Sequence, residues 1–463
     1  MGDLAKIFKA YDIRGVVPDE LDAATAEAVG AAFVRVTGAS AVVTAHDMRE
    51  SSGPLAEAFA RGATSQGADV IEAGLGSTDL LYYASGSLDL PGAMFTASHN
   101  PAKYNGLKLC RSGARPVGRD TGLTEIRELI ERGVPPYEGE PGTVSRRDLL
   151  KGYADHLKTL VDLSGIRRLK VVVDAGNGMG GHTVPSVFEG LPIDLVPMYF
   201  ELDGTFPNHE ANPIEPANLR DLQAKVRQTG ADIGLAFDGD ADRCFVVDER
   251  GEIVSPSAVT ALVATRELAK HPGSSIVHNL ITSAAVPEIV SEHGGTPVRT
   301  RVGHSFIKQT MAETGAVFGG EHSAHFYFRD FWFADSGMLA AMHVLAALGQ
   351  QAEEVGRGRS VGETRPLSEL LGEYTRYVAS GEINSEVDDQ SAAAEKVRHA
   401  FAGRPGVTIG ELDGLTVAND GEGWWFNLRP SNTEPLLRLN AEAGDEKTMA
   451  ALRDEVLAIV REK

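Results

Sequence analysis

Short hydrophobic runs rich in Val, Ile and Leu alternate along the chain with helical stretches and Gly-rich turns. A pattern of strand, Gly- or Asp-rich loop, helix and second strand occurs at 40–74, at 168–200 and at 274–303. A length of about 30 residues is typical of a βαβ unit with a buried parallel sheet. Because the copies lie roughly 100–130 residues apart, they predict separate domains and not a solenoid.

The pattern changes after residue 366. Short strands are predicted at 407–420, 423–431 and 435–443, followed by a closing helix from about Glu446, and this mixture indicates a smaller α+β unit. Candidate domain boundaries, which are polar or rich in Pro and Gly, lie at 133–142, 248–256 and 349–366. A helix is predicted at 146–163, after the first of them. The predicted class is α/β. Three similar α/β domains with mixed or parallel sheets cover 1–142, 143–250 and 251–358, and an α+β C-terminal domain covers 359–463.

Composition supports a multidomain globular protein. The chain has 463 residues, too many for one core, and its hydrophobic share of 42% and charged share of 24% are ordinary. It has no apolar run long enough for a membrane span, and its N-terminus lacks the apolar core of a signal peptide. The only cysteines, Cys110 and Cys244, lie in strand-like runs. Two buried reduced thiols and a cytoplasmic location are therefore expected.

Charge narrows the choice of partners. The formal net charge is −21, so the surface should repel nucleic acid and anionic membranes. It should also repel an anionic metabolite, unless basic residues are concentrated locally. Such residues occur beside Gly or turn residues in several loops: Arg14, Lys108, Arg243, His304, Lys308, Arg429 and Arg438.

The segment TASHNPAKYNGLKL, residues 96–109, places a serine beside a histidine in a sharp turn. Small residues flank Ser98, and His99 follows it directly. Two interpretations are open. Ser98 acts as a nucleophile or group carrier, or Asn100-Pro101 simply ends a loop.

An acidic motif, DGDADR, lies between two apolar runs. Asp238, Asp240 and Asp242 alternate with small residues, so in an extended or gently turning loop their carboxylates project to one side. Three close carboxylates cannot all stay ionised without a cation, and oxygen ligands favour Mg²⁺ or Ca²⁺. An EF-hand is disfavoured because Arg243 stands where the calcium loop needs glycine and CFVVDE is typical of a strand. A solvated acidic loop is the remaining alternative.

A Gly-rich motif, VVVDAGNGMGG, matches the dinucleotide fingerprint. Gly176, Gly178 and Gly181 have the G-x-G-x-x-G spacing after a strand. Acidic residues follow about 20 positions later, as that fingerprint requires. However, GTFPNHEANPIEP is typical of a loop, and the motif lies inside a repeated unit. A tight strand-to-helix turn is favoured over an NAD site.

The segment RPSNTEP is suited to an anion. A guanidinium fork, hydroxyl and amide donors and successive backbone N–H groups favour a phosphate, and an ordinary turn is the alternative. The donors are Arg429, Ser431, Asn432 and Thr433.

The segment GEHSAH has alternating polar side chains. Glu321, Ser323 and His325 could share one face of an extended segment and bind sugar hydroxyls. A structural role is equally compatible with the pattern. Zinc is disfavoured because His322 and His325 lack a matching second pair of ligands.

Together these segments resemble the α-D-phosphohexomutase family, and in particular its phosphomannomutase/phosphoglucomutase branch. YDIRG, TASHNP, DGDADR, GEHSAH and RPSNTEP occur in that order and span essentially the whole chain. TASHNP together with DGDADR is a highly specific pair. The resemblance implies four domains around one central cleft.

The resemblance also implies roles for individual residues. Ser98 would be a phosphoserine, and its phosphate would bind Mg²⁺ together with Asp238, Asp240 and Asp242. Glu321 and Ser323 would bind the 3- and 4-hydroxyls of the sugar, and RPSNTEP would bind the distal phosphate. The other implied catalytic or substrate-binding residues are Tyr11, Arg14, His99, Lys108, Arg243, His304 and His325. The general acid/base stays open among Lys108, Arg14 and His304.

The implied reaction interconverts hexose 6-phosphate and hexose 1-phosphate in two transfers. Phosphoserine donates to the free hydroxyl, the hexose 1,6-bisphosphate turns end for end, and the other phosphate returns to Ser98. The bisphosphate is thus both intermediate and activator. Such transfer depends mostly on positioning and electrostatics. The expected partner is a small phosphosugar, with no nucleic acid or membrane, and the enzyme is expected to be a monomer or homodimer.

Mannose is the expected sugar, and glucose is expected as well because the two differ only at carbon 2. GEHSAH departs from the GEMSGH of dual-specificity members, and IVHNLITS lacks a lysine found in some of them. A phosphoglucomutase or phosphoglucosamine mutase preference therefore stays open. The rivals from other classes are an NAD-dependent dehydrogenase built on GNGMGG and a non-catalytic calcium-binding protein.

Overall fold

The computed structural model describes residues 3–351, 364–430 and 436–462, apart from the side chain of His304. These residues form two compact units. The first combines the residues up to Pro256 with Ser323–Leu370, and the second combines Ser257–His322 with the residues from Leu371 onwards. Within these ranges, no helix has both the length and the apolar character that crossing a bilayer requires.

The first part of the first unit is a mixed sheet covered by helices. Its strands are β1 Ile13–Val16, β2 Ala41–His46, β3 Asp69–Leu75, β4 Gly92–Phe95, β5 Tyr104–Arg111, β6 Arg115–Pro116 and β7 Val144–Arg146. Its helices are α1 Leu4–Ile7, α2 Ala23–Thr37, α3 Ser52–Ser65, α4 Thr78–Leu88 and α5 Leu123–Arg132. The strand order is β1-β5-β4-β2-β3-β7, with β6 beside β5. β2, β3, β4 and β7 are parallel, and β5 is antiparallel to β1 and β4.

This order creates a topological switch point. The chain passes from β2 through α3 to β3 on one side, and then through α4 to β4 on the other side of β2. In open α/β sheets, ligands bind outside the carboxyl ends of the strands at such a point. Two loops follow these carboxyl ends, Asp47 onwards after β2 and Thr96 onwards after β4.

The next part of the first unit is a five-stranded sheet. Its strands are β8 Leu169–Asp174, β9 Ile193–Met198, β10 Ile233–Phe237, β11 Cys244–Val247 and β12 Ile253–Val254, and its helices are α6 Leu150–Leu160, α7 Gly180–Phe188 and α8 Arg220–Thr229. The order is β12-β11-β10-β8-β9. β8 is parallel to β9 and β10, whereas β11 is antiparallel to β10. The acidic motif therefore lies in a hairpin loop between two fully buried strands.

The α/β part of the second unit follows. It comprises α9 Pro256–Lys270, β13 Ser275–Asn279, α10 Ala285–Glu292, β14 Thr296–Thr300, α11 His304–Thr314 and β15 Phe318–Gly320. β13 is parallel to β14 and β15. The chain then continues in the first unit with β16 Phe326–Phe328, β17 Ala334–Asp335, α12 Gly337–Gly349 and α13 Leu367–Gly372. β16 and β17 are antiparallel.

The C-terminal part of the second unit is an antiparallel sheet with two helices. It comprises β18 Val378–Glu386, α14 Gln390–Phe401, β19 Thr408–Gly410, β20 Leu415–Asn419, β21 Trp424–Pro430, β22 Leu436–Ala443 and α15 Glu446–Val460. The order is β18-β22-β21-β20-β19. Val397 and Phe401 of α14 pack with Phe426 of β21 in one apolar core.

The predicted class is confirmed. All three βαβ patterns form parallel pairs, β2 with β3, β8 with β9 and β13 with β14. Both cysteines are free and buried. The helix predicted at 146–163 is shorter, because α6 covers only Leu150–Leu160, and the C-terminal prediction missed β18 and α14. The division into domains at 142, 250 and 358 stays a prediction.

Candidate active site

Ser98 lies in the loop after β4, with its hydroxyl directed at an aspartate. Its Oγ donates a hydrogen bond to Asp238 Oδ2 at 2.8 Å, and its backbone N–H donates to Thr96 Oγ1 at 2.9 Å. Its φ is 49°, in the left-handed region, which costs a residue with a Cβ about 1 kcal/mol. Strain of this kind concentrates where function needs a fixed geometry.

The three aspartates of DGDADR converge. Asp238, Asp240 and Asp242 are buried, and one ligand oxygen from each lies within 4.8 Å of the others. Asp240 Oδ1 and Asp242 Oδ1 are buried and have no hydrogen-bond partner in the part of the chain that the structure describes. Oxygen-only ligands and free buried carboxylate oxygens fit a hard divalent cation such as Mg²⁺.

Two cations already contact the aspartates. Lys108 Nζ donates to Asp240 Oδ2 and Asp242 Oδ2, each at 2.6 Å. Arg243 Nε donates to Asp238 Oδ2 at 2.9 Å, and its Nη2 lies 2.8 Å from the same oxygen in an ion pair. These pairs leave three carboxylates against two fixed positive charges, so the cluster remains acidic.

The charges at this site shift one another's pKa. Burial raises the pKa of Asp238, with help from Asp242 and Asp240, although Arg243 opposes the shift. Burial also opposes ionisation of Asp240, but Lys108, together with Thr78 and Arg243, outweighs it, and the pKa of Asp240 lies well below its usual range. Burial would lower the pKa of Lys108, yet Asp240 and Asp242 outweigh it and raise that pKa. Lys108 therefore acts here as a fixed positive charge.

His99, within the serine loop, and Arg14, in β1, both make contacts that hold this loop. His99 Nδ1 lies 3.2 Å from Ser98 Oγ and also contacts Arg243 Nη2. Burial, with the neighbouring Arg243 and Arg14 charges, lowers the pKa of His99 to about 2, so the imidazole is neutral. Arg14 Nη1 donates to Asn100 Oδ1 at 2.5 Å. His99 thus restrains the loop from within, and Arg14 restrains it from β1.

Part of the GEHSAH segment belongs to the same cluster. His325 pairs with Arg243 through an isolated antiparallel bridge, and its Nε2 lies 3.6 Å from Asp242 Oδ1. Ser323 Oγ lies 3.0 Å from His325 Nδ1. Tyr11 is half-buried, two residues before β1.

The remaining predicted residues belong to the second unit. Glu321 is buried, and Asn279 Nδ2 donates to its Oε2 at 3.2 Å. Arg429, in β21, donates from Nη2 to Glu382 at 3.1 Å. His304 begins α11, and its side chain lies outside the described part of the structure, as do Ser431, Asn432 and Thr433.

Sequence reasoning missed several polar residues that shape these sites. Thr78 Oγ1 donates to Asp240 Oδ2 at 2.5 Å from the start of α4. Asp335 lies with Asp242 and His325 in a second cluster of candidate ligand atoms. Asn279 ends β13, and a polar residue at the carboxyl end of a strand is the signal that could have identified it.

The GNGMGG glycines serve backbone packing. A Cβ on Gly178 would lie 2.6 Å from the carbonyl oxygen of Gly239, and one on Gly181 would lie 2.3 Å from that of Phe200. Gly178 lets the turn before α7, and Gly181 lets the first turn of α7, pack against the protein's own backbone, where a dinucleotide would need space. The tight strand-to-helix turn is thus confirmed. The strand β11 from Cys244 likewise excludes an EF-hand.

Comparison with known proteins gives a consistent result along the chain. Four family models match: "Phosphoglucomutase/phosphomannomutase, alpha/beta/alpha domain I" at 5–135, domain II at 151–251, domain III at 255–377 and the C-terminal domain at 382–459.

Individual relatives agree with these models. The chain is 41% identical to the "Phosphohexose mutases" protein of Xanthomonas campestris pv. campestris, covering 98% of this chain and 99% of the relative. It is 38% identical to a phosphomannomutase of Salmonella montevideo, covering 98% of each. A solved phosphoglucomutase/phosphomannomutase family protein from Burkholderia thailandensis superposes with a TM-score of 0.87 at 33% identity, covering 100% of this chain and 98% of the other.

Proposed function

Since the chain belongs to the phosphoglucomutase/phosphomannomutase family and is a hexose-phosphate mutase, we propose that Ser98 is the group that carries the phosphoryl between sugar positions. The observation that supports this assignment is the Ser98 Oγ hydrogen bond to Asp238 Oδ2 at 2.8 Å, beside two further buried carboxylates. A serine held in this way is suited to a covalent intermediate.

The proposed reaction has two transfers. Phosphoserine 98 gives its phosphoryl to the free hydroxyl of a hexose monophosphate, breaking the bond from Ser98 Oγ to phosphorus as the bond to the sugar oxygen forms. The hexose 1,6-bisphosphate turns over, and its other phosphate returns to Ser98. The sugar hydroxyl loses its proton in the first transfer, and Ser98 Oγ gains one as it leaves phosphorus. The general acid/base that exchanges these protons stays open among Lys108, Arg14 and His304.

Fixed charges suit this chemistry. Lys108, which is half-buried, and Arg243, which is buried, pair with the aspartates, so they can stabilise the transferring phosphoryl group without moving. Pre-organised charge of this kind is usually the largest contribution to such catalysis. His99, being neutral, orients the serine loop and adds no charge.

We propose Mg²⁺ as the metal, bound by Asp238, Asp240 and Asp242 together with the phosphate on Ser98. The family is metal-dependent, and the free oxygens of Asp240 and Asp242 fit a hard cation. When bound, Mg²⁺ neutralises phosphate charge and polarises the phosphorus–oxygen bond.

The sugar and its distal phosphate are assigned to the remaining residues. Glu321, with Ser323, is proposed to bind the 3- and 4-hydroxyls of the sugar. Arg429, with Ser431, Asn432 and Thr433, is proposed to bind the distal phosphate. Arg438 lies opposite Arg429 on β22, and both contact Glu382, at 3.3 and 3.1 Å. Paired guanidinium groups suit bidentate phosphate binding. Tyr11, His304 and His325 complete the proposed substrate contacts.

Mannose is the proposed sugar, with glucose as a second substrate. Relatives named phosphomannomutase, at 36–38% identity over nearly the whole chain, support mannose. Groups that bind hydroxyls 3 and 4 discriminate weakly at carbon 2, which supports glucose as well. We further propose that the enzyme acts on free phosphosugars in the cytoplasm.

The decisive experiment compares wild type with Ser98→Ala. Each is incubated with mannose 1-phosphate, glucose 1-phosphate or glucosamine 1-phosphate, Mg²⁺ and catalytic glucose 1,6-bisphosphate. Wild type should turn over the mannose and glucose substrates, and Ser98→Ala should be slower by at least about 10³-fold. Ser145→Ala, in the exposed strand β7, is the matched control and should retain full activity.

Equal turnover by wild type and Ser98→Ala would refute the assignment of Ser98. Preferential turnover of glucosamine 1-phosphate would leave Ser98 in place and correct the sugar. Mass spectrometry of the peptide that contains Ser98, after incubation with the bisphosphate, reports the phosphoserine directly.

A further inference from the structure

The guanidinium of Arg49 uses all of its N–H groups to donate hydrogen bonds within two neighbouring loops. Its Nε donates to Asp47 Oδ2 at 3.2 Å. The other four donors go to backbone carbonyl oxygens of the Ser98 loop, namely those of Ser98 at 2.8 Å, Asn100 at 2.7 Å, Pro101 at 3.0 Å and Tyr104 at 3.0 Å. Arginine has five such N–H groups in one rigid plane, which is why a single side chain can bind four carbonyls.

The sheet topology brings these loops together. β2 and β4 are adjacent parallel strands, with His46 beside Phe95 at their carboxyl ends. Asp47–Arg49 and Thr96–Tyr104 therefore leave the sheet side by side, at its topological switch point. Arg49 is consequently close to the Ser98 loop because β2 and β4 are neighbours in the sheet, although the two segments are far apart in sequence.

Arg49 is itself held in place. Asp47 Oδ1 accepts from the Arg49 backbone N–H at 3.0 Å and from Ser52 Oγ at 2.5 Å. The Phe206 ring covers the guanidinium at 5.1 Å, and Gly204 passes so close that a Cβ there would lie 2.8 Å from Arg49 Cα. Arg49 is 3% exposed, so its side chain is a fixed internal support.

The main chain that Arg49 binds needs such support. Ser98 has a φ of 49°, and a left-handed residue with a Cβ relaxes towards extended or right-handed backbone unless it is restrained. Two of the carbonyls that Arg49 binds belong to Ser98 itself and to Asn100, two residues later in the loop. Releasing them would let the hydroxyl turn away from Asp238.

We propose that Arg49 is a positioning residue for phosphoryl transfer, holding the Ser98 backbone in the left-handed conformation that aims Oγ at Asp238. It contacts neither the substrate nor the reacting atoms and acts only through the loop. The proposal rests on the proposed role of Ser98. It assigns a function to HDMRESS, a segment outside the five motifs.

The test uses Arg49→Lys and Arg49→Met in the full-length enzyme. Lysine keeps the charge opposite Asp47 but has only three donors, directed from one point, and methionine removes both charge and donors. Rapid-quench measurements give the rate of Ser98 phosphorylation by glucose 1,6-bisphosphate, and steady-state assays give kcat and KM for glucose 1-phosphate. A misplacement of about 1 Å can cost about 10²-fold in rate.

We expect kcat and the phosphorylation rate to fall together, by about tenfold in Arg49→Lys and about 10²-fold in Arg49→Met, per folded molecule. KM should change by less than about threefold, because the sugar-binding residues are untouched. Arg167→Lys is the matched control, since Arg167 is partly buried and binds Asp232 at 2.8 Å. It should lose stability without losing kcat.

Three results would overturn the proposal. Activity that falls only in proportion to the folded fraction would reduce Arg49 to a structural role. A raised KM with unchanged kcat would make it a substrate-binding residue. Failure of both variants to fold would show that Arg49 supports the domain and not the loop. Wild type that is never phosphorylated on Ser98 would instead refute the role of Ser98, which separates the two hypotheses.

Discussion

Gly239 packs directly against the carbonyl oxygen of Ser98, and a Cβ at position 239 would lie 2.3 Å from that oxygen. The metal loop and the serine loop thus meet backbone to backbone. Their closeness explains why the second residue of DGDADR is glycine, since any side chain there must displace one loop from the other. The distance between Ser98 Oγ and Asp238 depends on this contact.

Gly239→Ala should therefore separate the two loops. We expect kcat to fall by at least about tenfold with little change in KM, and the free energy of unfolding to fall by about 1–3 kcal/mol. Steady-state kinetics and urea unfolding measure the two effects. Gly165→Ala is the control, because a Cβ at that exposed position meets nothing within 4 Å. Unchanged kinetics in Gly239→Ala would contradict the tight contact.

Asp238→Asn should disable the proposed metal site. Arg243 and Ser98 would lose their shared carboxylate, and one proposed oxygen ligand would lose its charge. We expect kcat to fall by about 10²–10³-fold and the Mg²⁺ concentration for half-maximal activity to rise. Asp248→Asn is the control, since this buried carboxylate binds Arg250 at the end of the same hairpin. A Mg²⁺ requirement that is equal in wild type and Asp238→Asn would exclude this carboxylate as a ligand.

Asp79 should make stability depend on pH. Its carboxylate is buried and accepts hydrogen bonds from the hydroxyls of Ser77, Tyr153 and Ser336. Burial raises its pKa to about 6, despite those donors. Because the folded pKa exceeds the unfolded value of about 3.9, this contribution to stability is complete below pH about 4 and is lost as pH rises through about 6.

The gap between those two pKa values corresponds to about 3 kcal/mol of unfolding free energy. Urea unfolding of wild type and Asp79→Asn between pH 4 and 7.5 isolates the effect, since other groups titrate equally in both proteins. Wild type should lose stability relative to the variant across this range. If the difference in unfolding free energy between the two proteins stays constant from pH 4 to 7.5, Asp79 does not titrate in this range.

Asn279→Asp should disturb sugar binding more than chemistry. It places a second carboxylate 3.2 Å from Glu321, where the amide now donates a hydrogen bond. Two like charges at this distance repel, so Glu321 should move or lose charge. We expect KM for mannose 1-phosphate to rise about tenfold, equivalent to about 1.4 kcal/mol, with a smaller change in kcat.

Gln309→Glu in the second unit is the matched control, because the Gln309 amide also donates to a glutamate, Glu313 at 2.8 Å, but at an exposed position on α11. A fall in kcat with unchanged KM in Asn279→Asp would instead connect this residue to the phosphoryl transfer.

Local sequence was sufficient for the βαβ units, because strand and helix periods are short-range properties of the chain. The pattern predicted all three parallel pairs and the start of α15 at Glu446. It missed β18, whose residues Val378–Glu386 are mostly polar or exposed and form a strand only because β22 provides a partner. Pairing across the chain, and not propensity, decides such a strand.

The sequence by itself determined that Asp238, Asp240 and Asp242 form one acidic cluster, since alternation within a single loop requires no other part of the fold. For Ser98, the residues alone left two interpretations open, a group carrier or the end of a loop. Tertiary structure decided that this hydroxyl meets Asp238, that Lys108 and Arg243 form ion pairs with the three aspartates, and that Arg49 binds four carbonyls of the serine loop. These contacts join residues far apart in the chain. They exist because the order of strands in two sheets brings the loops that follow those strands to one place. The spacing of residues along the chain does not reveal that order.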